Sequence, residues 1–110
     1  MRLKSNPPQR RAILDRASAI ALLFVVVEQV YQSNGHEPEL TSGRDGKHSQ
    51  TSLHYAGAAW DFGVKGISED SRAAISAGID SRLGRDFDVL YEGAGTPNAH
   101  IHIEWQPRGG

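Results

Sequence analysis

Apolar residues crowd one stretch of this chain, Ala19 to Val27, and elsewhere come in short runs broken by glycine and polar residues. Ile13, Ala17, Ile20, Phe24, Val27 and Tyr31 recur at helical spacing, with Arg16, Glu28 and Gln32 as polar interruptions. That spacing predicts one long helix through the N-terminal third. Pro7-Pro8 is a suitable entry, because proline in the first turn lacks only a donor that has no intrahelical partner. Ser33-Asn34-Gly35, with Pro38 beyond it, supplies the stop. Residues 1–7 read as a flexible tail.

From Glu39 onward the pattern shortens. Leu40-Thr41-Ser42 reads as a strand and Gly43 to Thr51 as a polar loop. Ala58 to Val64 reads as a strand carrying Asp61, with Trp60 and Phe62 on its opposite face by alternation. Ser68 is placed to cap a helix running to Leu83, with Glu69 and Asp70 at its positive end and Gly84 at its stop. Phe87 to Tyr91 and His100 to Trp105 read as two more strands. Trp60 and Trp105 are expected in the core.

Composition narrows the functional classes. A chain of 110 residues is one domain with one modest core. Its 12 basic and 13 acidic residues leave a formal net charge of -1, which offers no footprint for nucleic acid. The apolar run is about half the roughly 20 residues of a spanning helix, and no signal-type cleavage site follows it, so no stable membrane insertion is expected. A monomer is expected. With no cysteine, any metal must be held by histidine and carboxylate.

Such residues are present at telling spacings. His54 and Asp61 lie in Ser52-Leu53-His54-Tyr55-Ala56-Gly57-Ala58-Ala59-Trp60-Asp61, and His100 and His102 open His100-Ile101-His102-Ile103-Glu104-Trp105. On a strand, His100 and His102 share one face while Ile101 and Ile103 take the other. Two imidazoles and a carboxylate suit Zn²⁺, and three protein ligands leave a fourth position open for chemistry. His36 and His48 belong to no motif and read as solvated, and Lys47 as a loop charge.

Ser-x-His-x-x-Gly-x-Ala-x-Asp followed by His-x-His resembles the zinc D-alanyl-D-alanine carboxypeptidases and L-alanyl-D-glutamate endopeptidases, whose fold is shared with the hedgehog signalling domain. Thr41-Ser42-Gly43, Phe87-Asp88-Val89-Leu90-Tyr91-Glu92 and the closing His-Ile-His-Ile-Glu-Trp resemble small phage and bacterial members in the same order. The resemblance spans Leu40 to Pro107. It implies an α+β fold, a small antiparallel sheet packed against a long N-terminal helix and a second helix. It implies zinc on His54, Asp61 and His102, with His100 beside the substrate. Ser52 and Arg44 fall where the family contacts substrate or braces the site. The implied substrate is the peptidoglycan stem peptide, and the implied role is cell-wall lysis or remodelling.

One position departs from the pattern. Active members carry Asp or Glu three residues before the third ligand as general base, and this chain has Ala99. A missing base costs about 10²- to 10⁴-fold. Glu92 could take its place, or Glu104, which shares a strand face with His102 by alternation. Otherwise the alanine marks a form without turnover, and the chain is a zinc-holding binding or structural module.

Overall fold

The computed structural model describes residues 16–44 and 58–107. Six elements follow in chain order: α1 (Arg16–Ser33), β1 (Leu40–Arg44), β2 (Ala58–Gly63), α2 (Glu69–Leu83), β3 (Phe87–Glu92) and β4 (His100–Trp105). The start of the first helix near Pro7, the 1–7 tail and most of the 43–51 loop lie outside the described residues. Within them the α+β expectation holds, with two helices and one antiparallel sheet of order β1-β2-β4-β3.

Local chemistry sets the helix ends. α1 stops in a glycine-terminated turn: Gly35 takes a φ of 82°, while the amides of Gly35 and His36 donate to the carbonyls of Gln32 and Tyr31, both at 3.0 Å. At α2, the Ser68 hydroxyl accepts from the Ser71 amide at 3.2 Å, and Glu69 and Asp70 occupy the first turn. Both termination signals were readable in the sequence.

The sheet alternates cleanly. Trp60, Phe62, Phe87, Ile101, Ile103 and Trp105 are buried together with Ala19, Leu23, Val26, Val27, Val30 and Tyr31 of α1 and Ile75, Ile79 and Leu83 of α2. Edge-on contacts of Phe24 with Trp60 and Phe62, and a tilted contact of Tyr31 with Phe62, join α1 to β2. Tyr31 also donates its hydroxyl to the Gly63 carbonyl at 2.9 Å, and burial pushes its phenol above its ordinary pKa. The helices therefore cover one face of the sheet, and the other face is left for chemistry.

The predicted stripe on α1 needs correction. Val27 and Tyr31 of that stripe are buried, but Ala17 is exposed, Ile20 is half-buried and Phe24 keeps 36% of its surface, and Ala19, Leu23, Val26 and Val30 complete the buried side. The cause lies in the run itself. Apolar residues from Ala19 to Val27 surround the helix, so periodicity alone cannot fix which side faces inward. Among the described residues no helix is long and apolar enough to cross a membrane.

β1 also extends further than expected, taking in Gly43 and Arg44. Its register against β2 shifts between Leu40 and Ser42, which brings Ser42 opposite Asp61 and Arg44 opposite Ala59. Gly43 is required here because a Cβ would stand 2.6 Å from Cδ1 of the buried Trp60 ring. That close approach was invisible in the sequence.

Candidate functional site

The open face of the sheet collects the polar residues that alternation turns away from the core. Antiparallel register sets Asp61 directly opposite His102, and Leu90 and Glu92 of β3 opposite His102 and His100. Asp61, His100, His102, Glu92 and Glu104 thus share one face from three adjacent strands. Leu90, 49% exposed, stands beside them as an apolar wall.

Hydrogen bonding organises this group into two linked units. In the first, His102 Nδ1 lies 2.7 Å from Asp61 Oδ1, and its Nε2 lies 3.0 Å from Glu104 Oε1. Gln106 donates to the other Glu104 oxygen at 3.0 Å. In the second, His100 Nδ1 donates to the Asn98 carbonyl at 2.7 Å, and Nε2 lies 3.1 Å from Glu92 Oε1. The units meet where His100 Nε2 comes within 3.8 Å of Asp61 Oδ1. Thr41 holds the Asp61 backbone by donating to its carbonyl at 3.2 Å.

These contacts decide where protons sit. A carbonyl only accepts, so the Asn98 bond fixes a proton on His100 Nδ1 and leaves Nε2 as the nitrogen that titrates. The Asn98 carbonyl also does most to raise the pKa of His100; burial opposes it, and Glu92 and Asp61 add to the rise. At His102 burial is the largest influence and works against the charge, yet Glu104 and Asp61 together outweigh it and raise the pKa. Ionised carboxylates accept and do not donate. With a carboxylate on each ring nitrogen, the doubly protonated form of His102 is favoured, and a cation could take the place of one proton.

The donor set fits zinc at the Asp61 side. Two donors on a tetrahedral zinc stand roughly 3.3 Å apart at bond lengths of about 2.0 Å. The Asp61 and His102 atoms, 2.7 Å apart, need to open by about half an ångström from a hydrogen-bonded contact to that spacing. Glu104 on the far nitrogen then matches the carboxylate that orients a ligating histidine. His54 and Ser52 lie outside the described residues, and those residues alone contain no group of three or more His, Asp or Glu that could hold a metal. Arg44 enters only by its backbone position opposite Ala59.

Ala99 leads into β4, packs against the core and lines a cavity of about 310 Å³ together with Asp61, His100, Thr41 and Pro97. The segment before it is closed by hydrogen bonds. Thr96 bonds the Gly93 carbonyl through its amide at 3.0 Å and its hydroxyl at 2.7 Å, and the Ala99 amide reaches the Thr96 carbonyl at 3.2 Å. This turn aims the Asn98 carbonyl at His100.

Sequence reading brought together Asp61, His100, His102, Glu92 and Glu104, and the structure gathers all five. It missed the roles of Thr41, whose hydroxyl reaches the Asp61 carbonyl across the β1–β2 pairing, and of Asn98, which acts through its backbone carbonyl. It also missed Arg72 on α2, which bonds Ile67 and Glu69 nearby in sequence and the Tyr91 hydroxyl of β3. Compared with known proteins, the chain matches no family model, no curated protein and no solved structure.

Proposed function

We propose that this chain is a zinc-dependent peptidase of the D-alanyl-D-alanine carboxypeptidase or L-alanyl-D-glutamate endopeptidase type, with the hedgehog and D-alanyl-D-alanine peptidase fold, acting on peptidoglycan stem peptides. The observation that carries the reading is the Asp61 to His102 contact at 2.7 Å, with Glu104 on the far ring nitrogen. Its sequence support is the pair of motifs around His54 and Asp61 and around His100 and His102.

Asp61 and His102 would hold the zinc with His54. Zinc bound there supplies a Lewis acid that polarises a peptide carbonyl and acidifies water. The proton acceptor is the pair of His100 and Glu92. The Asn98 carbonyl keeps the Nδ1 proton in place, so a neutral His100 presents an unprotonated Nε2 at the cavity edge. Glu92, 3.1 Å from that nitrogen, stabilises the imidazolium formed on proton transfer. The same imidazolium is then placed to return the proton to the leaving amine. In this reading Ala99 is no gap, because the base comes from β3 and β4.

A second reading draws on Ala99 itself: a zinc-holding module that binds stem peptides without cutting them. Hydrolysis of purified peptidoglycan by the zinc-loaded chain separates the two, run beside His100→Ala and Ala99→Asp. The peptidase reading expects fragment release by the unaltered chain and a loss of about 10²-fold or more in His100→Ala. Silence in the unaltered chain, with release gained in Ala99→Asp, would favour the module.

A further inference from the structure

A second cavity, of about 360 Å³, adjoins the first: both are lined by Thr41, Gly63, Pro97 and Ala99. The first reaches Asp61 and His100, while the second reaches Lys65 and Arg72. The two form a groove over the small residues Gly63 and Ala99. An extended ligand lying in it places one bond at the histidine cluster and a more distant group at the two cations.

The two ends differ in charge. Around His100 and His102 the open face carries Asp61, Glu92 and Glu104. The far cavity is lined by Lys65 and Arg72 against one carboxylate, Glu39. Lys65 is exposed and makes no ion pair among the described residues. Arg72 is held rigidly: Nε donates to the Ile67 carbonyl at 2.7 Å, and Nη1 to Glu69 at 3.1 Å and the Tyr91 hydroxyl at 3.0 Å. Its Nη2 has no partner among the described residues, and its side chain is only 17% exposed. A guanidinium fixed through Nε and Nη1, on a residue that lines the cavity, is preorganised for a planar anion.

We propose that this cavity is a subsite for a carboxylate of the peptide substrate, bound by Arg72 and Lys65, and that it sets which way the peptide lies across the site. The subsite rests on the peptidase reading for the identity of the substrate. Arg72 and Lys65 attract a carboxylate at the far end, which sets the other end of the peptide at the histidine cluster. The small side of Ala99 keeps the groove open between the two ends.

The test is binding, with cleavage of the same peptide read separately. Acetyl-L-alanyl-D-glutamate, and the same peptide with both carboxylates converted to amides, are titrated into the zinc-loaded full chain while backbone amide resonances are followed. The free acid is expected to shift Lys65, Gly66 and Thr96 and to bind about tenfold more tightly than the amide. Lys65→Gln and the conservative Arg72→Lys are each expected to shrink that preference while the rest of the spectrum stays unchanged. Equal binding of acid and amide, or shifts confined to β2 and β4, would overturn the subsite. Selective acid binding at these residues without any cleavage would sustain the subsite and count against the peptidase.

Discussion

His102 keeps each ring nitrogen against a carboxylate, and Glu104 is the partner with no counterpart in the ligand motif. If Glu104 orients a ligating imidazole, Glu104→Gln should weaken zinc affinity by about 10- to 100-fold with the fold intact, as competition with a chelator would measure. Protons and metal compete for the same ring. In the metal-free chain the folded pKa values of His100 and His102 are raised, so their charge stabilises the fold fully below the unfolded value of about 6.5. That contribution is lost as pH rises through the folded values. The Tm of metal-free protein should therefore fall as pH is raised above about 6.5, while the Tm gain on adding zinc grows over the same range. A zinc-induced gain that shrank with rising pH would contradict ligation by His102.

Among the elements, α1 and β1 make claims that stability measurements can check. Leu23 is fully buried and Val25 is 52% exposed, although both sit inside the same apolar run. Leu23→Ala should cost about 2–5 kcal/mol in denaturant unfolding, and Val25→Ala within about 0.5 kcal/mol; similar losses at both would mean that the helix faces the core differently. Gly43→Ala should cost about 1–3 kcal/mol, because its Cβ meets the ring of Trp60. The strands, by contrast, were legible in advance. His100 to Trp105 alternates so regularly that its two faces could be assigned from residue types alone, and Ser68 and Gly84 marked the ends of α2. α1 was legible as a helix and illegible in orientation, since a run that is apolar all round has no sided signal. The β1 bulge depends on pairing with β2, a relation between distant segments that local pattern does not encode.

At the scale of the whole molecule, the two helices among the described residues lie on one face of the four-stranded sheet, and the strand order decides what gathers on the other. β2 and β4 are distant in sequence and adjacent in the sheet, which is why Asp61 and His102 meet. That His100 and His102 share one strand face was readable from spacing. The groove towards Arg72 was not, because it is built from β1, the turn after β2, α2 and the turn before β4. The proposed function requires that Asp61 and His102 form part of a working metal centre. The most direct measurement is release of stem-peptide fragments from purified peptidoglycan by the zinc-loaded chain, beside its metal-free form and His102→Ala. Release that requires zinc and is abolished in His102→Ala is the expected result. Release that persists without metal, or that survives in His102→Ala at the unaltered rate, would contradict it.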